Sequence, residues 1–126
     1  MLLGLAFALT SAVTACNAND LTSTAYGDAP GTYALQSLNG RTLPYTFSNN
    51  TVLISEQLTL NADGSYDDVG HYNTGPTTTE YGYYSVQGNE ITFNDQTDNI
   101  TYKGSLTNGV LTQITGQFTA VYVKNQ

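Results

Sequence analysis

Few residues in this chain of 126 could carry chemistry, and their spacing narrows what that chemistry is. His71 is the only histidine and Cys16 the only cysteine. A hydrolytic triad needs a nucleophile, a base and an orienting acid. No nucleophile-elbow motif accompanies His71, and a surface histidine beside a hairpin accounts for it. Paired carboxylates for glycoside hydrolysis must face each other across a cleft. Glu56 is the one acid on an apolar strand face, whereas Glu80 and Glu90 open strands, where an exposed acid is ordinary. The run from Asn61 to Asp68 faintly resembles a calcium loop, but it lacks the first acidic ligand and the terminal Glu. A hairpin turn explains Asp63-Gly64 instead. Asp95 and Asp98 flank another turn and could share a cation, although turn chemistry again suffices. The expectation is a protein that is not an enzyme and holds no metal or cofactor.

Tyrosine is the outlier, with ten residues against four Phe and no Trp. A tyrosine ring wants burial, and its hydroxyl wants a partner. Tyr66 and Tyr72 are six apart and face one side of a strand. Tyr81 and Tyr83 share a side opposite to Tyr84. Tyr102 keeps the parity of Ile100 and Leu106, and Tyr122 that of Phe118 and Ala120. Such rings either line a barrel interior able to hold a small amphipathic molecule or, the favoured reading for short strands and bulky rings, fill a small β-barrel and send their hydroxyls to its rims. Any ligand pocket then sits at a barrel mouth. The residues expected to meet a small amphipathic ligand are Glu56, Tyr66, Tyr72, Tyr83, Tyr102 and Tyr122.

Charge and composition exclude whole classes. Three Lys+Arg against ten Asp+Glu give a net charge of −7, which cannot neutralise a nucleic-acid backbone. One Cys excludes an internal disulfide and a cysteine-rich zinc site. The length allows one domain.

The elements that must position these side chains are strands. Thr, Tyr, Val and Ile dominate the runs, and no window sustains a helical period. Tyr33 to Leu38 ends at Asn39-Gly40. Leu43 to Phe47 carries Pro44, which confines it to an edge or a bulge. Val52 to Leu60 places Val52, Ile54, Glu56, Leu58 and Leu60 on one face. Further strands cover Ser65–Asn73, Glu80–Val86, Glu90–Asn94, Asn99–Leu106, Val110–Ile114 and Phe118–Lys124, joined by Asn/Asp/Gly turns. A meander of eight to nine antiparallel strands has exposed edges unless it closes. The predicted fold is therefore all-β, a small up-and-down meander barrel.

Ahead of it, Leu2 to Val13 is apolar and uncharged, yet shorter than the ~20 residues a bilayer span needs. It reads as the core of an export signal over residues 1–15. No Lys or Arg precedes it, so the true start is expected upstream. Val13-Thr14-Ala15-Cys16 resembles the lipobox of bacterial lipoproteins. The resemblance implies diacylglyceryl transfer to the Cys16 thiol, cleavage before it, and acylation of the new amine. Several acyl chains anchor stably where one does not. Asn17, in place of an Asp that favours inner-membrane retention in enterobacterial lipoproteins, implies the outer membrane. Residues 16–31 are small and polar and read as a flexible tether to a domain over 32–126. The acidic domain is repelled by anionic headgroups, so its charge lifts it off the surface.

Within that domain, Gly31-Thr32-Tyr33-Ala34-Leu35, Leu58-Thr59-Leu60-Asn61-Ala62-Asp63-Gly64-Ser65-Tyr66 and Gly82-Tyr83-Tyr84-Ser85-Val86 resemble bacterial lipocalin-like lipoproteins. The resemblance spans about residues 31 to 126 and implies a lipocalin-like barrel without catalytic residues. The expected function is an envelope lipoprotein that binds a small apolar or amphipathic ligand. The alternative is a structural or adaptor lipoprotein contacting another envelope protein, of unknown identity.

Overall fold

The computed structural model describes residues 25–126. The signal expected over 1–15, the acylation expected at Cys16, Asn17 and most of the tether lie outside the described residues. The described chain is all-β. Its strands are β1 (Gly31–Leu38), β2 (Arg41–Thr42), β3 (Tyr45–Thr46), β4 (Val52–Leu60), β5 (Ser65–Tyr72), β6 (Thr78–Gln87), β7 (Glu90–Asp95), β8 (Ile100–Thr107), β9 (Val110–Thr115) and β10 (Phe118–Lys124).

From β4 to β10 each strand pairs antiparallel with the next. The hairpins make this order natural: Asn108-Gly109 has φ of 53° and 76° at its two central residues, the pairing of a tight turn whose twist matches its strands. β1 then lies between β10 and β4, with Gly31 opposite Leu60 and Tyr33 opposite both Lys124 and Leu58. That double pairing closes an eight-strand antiparallel barrel and leaves none of its eight strands an edge strand. The two-residue β2 and β3 extend β1 and β4 beyond the closure, and Pro44 falls between them, outside any ladder.

Two bulges set the parity. Leu35 pairs with Tyr122 and Ser37 with Val121, so Gln36 is unpaired with β10. On β4, Leu53 pairs with Tyr72 and Ser55 with His71, which leaves Ile54 over. An extra residue shifts which side chains face inward. Leu53 is therefore 2% exposed and Ile54 48% exposed, the reverse of the uninterrupted alternation expected for β4. Beyond the bulge, Glu56, Leu58 and Leu60 point inward as expected.

The barrel has two unlike ends. At one, the β4–β5, β6–β7 and β8–β9 turns gather around the start of β1. Here Tyr33, Leu58, Leu60, Ile91, Phe93, Leu111 and Tyr66 form a fully buried core. Gly82 makes room for the Tyr66 ring, because a Cβ there would collide with the Asn94 carbonyl and crowd that ring. The residues just before β1 cover this end rather than trailing away. Tyr26 packs its ring 4.9 Å from that of Tyr84. Ala29 is buried, and its carbonyl accepts the Tyr33 hydroxyl at 2.7 Å. Lys124 Nζ donates to the Asp28 carbonyl at 2.6 Å. The segment read as tether is thus part of the folded unit from Tyr26 onward; its small polar residues cap the barrel by turn geometry, with the Ala29 amide donating to the Tyr26 carbonyl at 3.0 Å.

Candidate functional site

The other end is open. There the inward alternation of each strand continues past the apolar core and turns acidic. On β5 the series Tyr66, Asp68, Gly70, Tyr72 faces in, on β6 Glu80, Gly82, Tyr84, and on β7 Ile91, Phe93, Asp95. β4 adds Glu56 next to Asp68 across the sheet, where Glu56 pairs with Gly70. The β7–β8 turn adds Asp98. Glu56, Asp68, Glu80, Asp95 and Asp98 surround a cavity of about 300 Å³, whose walls include Phe47, Tyr72, Tyr102, Gln113, Phe118 and Tyr122. A chamber of about 50 Å³ between Glu56, Asp68, Gly70, Tyr72, Thr78 and Glu80 shares four of these residues with it.

Its hydrogen bonds are short of donors. The Tyr122 hydroxyl donates to Glu56 Oε1, and Asp68 Oδ2 lies 3.3 Å from the same hydroxyl oxygen. One phenol carries one proton. With that proton given to Glu56, the Asp68 contact is too long for a strong hydrogen bond, and two carboxyl groups share one donor, which favours a protonated Asp68. Burial, then the neighbouring Glu56, pushes the Asp68 carboxyl far above the usual carboxylate range, which is the same conclusion from electrostatics. Asp68 Oδ1, the Gln113 Nε2 amide and the Tyr66 hydroxyl are buried without a hydrogen-bond partner.

Glu80 is pushed up to about 7, by burial first and then by Asp95 and Asp98. Ligand atoms of Glu80, Asp95 and Asp98 lie within 4.8 Å of one another. Asp95 Oδ1 is committed to its turn, accepting the Thr97 and Asp98 amides at 2.8 and 3.1 Å. The turn reading of Asp95 thus holds, and the carboxyl is also nearly fully buried at the cavity wall.

No base compensates these acids. Arg41 is exposed on β2, and His71 is exposed on the outer face of β5. Lys103 points outward to Glu90 at 3.1 Å, and Lys124 caps the closed end. These are all the Lys, Arg and His residues of the chain.

Of the residues expected to meet a ligand, Glu56, Tyr72, Tyr102 and Tyr122 line the cavity together. Tyr66 lies in the buried core, its ring edge-on to Phe93 at 5.2 Å; Phe93 in turn stacks on Tyr102 at 5.1 Å. Tyr83 does not join them. It is 59% exposed on the outer face of β6, because Gly82 and Tyr84 take the inward positions. Asp68, Glu80, Asp95 and Gln113 were not expected there. Their signal was strand parity: each continues an inward series that the apolar and tyrosine residues begin.

A larger depression, about 490 Å³, lies at the closed end between residues 26–29 and the hairpin turns. Its lining is mostly turn residues such as Gly88, Asn108 and Gly109, and Lys124 there already bonds to Asp28. The convergent titratable groups are all at the open end. No family model, curated protein or solved structure matches the chain.

Proposed function

We propose that this chain is a lipid-anchored bacterial envelope protein, related to the lipocalin-like lipoproteins, whose barrel binds a small amphipathic molecule at its open end. The observation that carries the reading is the cavity of about 300 Å³ in which five carboxyl groups and Gln113 converge between aromatic walls. Binding cavities begin at about this size and place polar groups among aromatic ones. Its polar lining favours an amphipathic ligand over a purely apolar one, since buried carboxyls beside hydrocarbon would go unpaired.

The arrangement of the two ends supports the anchored reading. Acylation is proposed at Cys16, nine residues before Ala25. Nine extended residues reach at most ~30 Å. The described chain begins at the capped end, opposite the cavity, so a tether there leaves the cavity mouth free. An acidic domain so tethered stands clear of anionic headgroups.

The test is native mass spectrometry of the full chain isolated from its own host, with displacement of a fluorescent amphiphile from the purified protein. A co-purifying small molecule, or displacement at micromolar concentration, is the expected result. A protein that stays empty and displaces nothing contradicts the reading.

The adaptor reading has one observation in its favour. Tyr81 and Tyr83 lie side by side on the outer face of β6, 58% and 59% exposed. Exposed aromatic pairs are common contact residues. In-cell crosslinking from position 83 that captures one envelope protein would support this second reading, and its absence would count against it.

A further inference from the structure

Glu56, Asp68, Glu80, Asp95 and Asp98 place five carboxyl groups around one cavity with no basic side chain facing them. Acids packed this closely cannot all ionise inside a protein unless something positive joins them. Two observations besides the acids point to a missing molecule. Asp68 is 9% exposed, and its Oδ1 has no donor. Gln113 is 4% exposed, and its Nε2 has no acceptor. Buried polar groups are rarely left so. Both line the same cavity, so a ligand with a strong donor and a nearby acceptor answers both.

The shape adds a third constraint. The chamber of about 50 Å³ between Glu56, Asp68 and Glu80 admits a group little larger than a water molecule. Above it the cavity widens between aromatic rings. Phe47 lies edge-on to Phe118 at 5.9 Å and tilted to Tyr72 at 6.5 Å, which frames the mouth with π faces and edges. A small acidic chamber under an aromatic collar is the arrangement that receives a cation attached to carbon.

We propose that the open end recognises a small organic ammonium ion, its charged nitrogen among Glu56, Asp68 and Glu80 and its carbon frame against Phe47, Tyr72 and Phe118. This rests on the reading of the open end as a binding cavity. A bare metal ion fits less well. It would leave most of the 300 Å³ unused, and Asp95 Oδ1 already serves two backbone amides.

The experiment is calorimetric titration of the full-length chain at pH 8 with two matched pairs of probes. They are 2-phenylethylammonium against 2-phenylethanol, and n-butylammonium against 1-butanol. Calcium chloride is titrated separately. The ammonium member of at least one pair should bind about tenfold or more tightly than its neutral partner. D68N and E80Q each keep the side-chain shape and should reduce that preference to about threefold or less. Because loss of a fold would mimic loss of binding, near-ultraviolet circular dichroism of each variant is recorded first, and E56Q serves as the third variant. Equal binding of charged and neutral partners overturns the ammonium inference and leaves the binding cavity standing. Binding of calcium alone overturns it in favour of a metal site at Glu80, Asp95 and Asp98. No binding by any probe, charged or neutral, overturns the inference together with the binding reading.

Discussion

Tyr122 and Asp68 approach within 3.3 Å inside the barrel, yet the one proton on the Tyr122 hydroxyl is directed to Glu56. The Tyr122 hydroxyl is thus the centre of a relay between Glu56 on one side and Asp68, whose carboxyl burial pushes up, on the other. It holds β5, β10 and β4 together through their side chains, at the level where the apolar core ends and the cavity begins. An acid kept neutral by its surroundings can donate a hydrogen bond that a carboxylate cannot.

The first consequence is an inverted response to acid. The native state raises Asp68 and Glu80 above their ordinary values of 3.8 and 4.5, so between those values and the raised ones it binds more protons than the unfolded chain. Their contribution is fully present below the ordinary values and is lost as pH rises through the raised ones. For Glu80 that window runs from 4.5 to about 7, and for Asp68 it extends further up. The melting temperature of the ligand-free protein should rise as pH falls from 8 to 5, and E80Q with D68N should flatten that dependence. Thermal unfolding followed by tyrosine fluorescence at several pH values measures it; a melting temperature that falls over the same interval would contradict the account.

Tyr122→Phe removes the centre of the relay while keeping the ring in the core. Glu56 loses its donor, and the contact to Asp68 is lost with it. The expected cost is about 1–3 kcal/mol at pH 6, read by urea denaturation with an unchanged slope. Tyr33→Phe, which removes a single neutral bond to the Ala29 carbonyl at the capped end, should cost only about 0.5–1.5 kcal/mol.

Tyr83 and Tyr102 make a contrasting pair. Tyr83→Ser replaces an exposed ring and should change stability by less than about 0.5 kcal/mol. Tyr102→Ala removes a ring stacked on Phe93 and should cost about 3–5 kcal/mol. Equal effects from the two would mean that the inward and outward faces of β6 and β8 are wrongly assigned.

The proposed acylation has its own check. Cys16→Ser should move the chain from the membrane fraction to the soluble one, and the unaltered chain should carry the mass of two or three acyl groups on a new amino-terminal Cys16. A free thiol with residues 1–15 retained contradicts acylation.

Much of the barrel was legible in the sequence. Turn residues such as Asp63-Gly64 and Asn108-Gly109 act locally, so strand limits such as Val52–Leu60 and Phe118–Lys124 follow from them. The Ile54 bulge was not legible, because an extra residue leaves the strand's composition unchanged and shows only in its pairing with β5. Glu56 was recognised from its apolar neighbours on the same face. Asp68 and Glu80 escape a sequence reading because an acid in a strand is usually solvated, and Asp95 because turn chemistry accounts for it; only closure of the sheet brings these three inside. Tyr83 was placed with the ligand although it shares parity with Tyr81; the inward place belongs to Tyr84, beside the small Gly82.

The decisive measurement is carboxyl ¹³C NMR of Asp68 and Glu80 in the full chain, titrated with and without saturating 2-phenylethylammonium. Without the amine, Asp68 should remain protonated at pH 7 and Glu80 should titrate near it. With the amine both should ionise at lower pH, because the ammonium replaces the protons as their source of positive charge. Two carboxyls that titrate near 4 in the free protein, unmoved by the amine, would contradict an interior that holds protons in place of a cation.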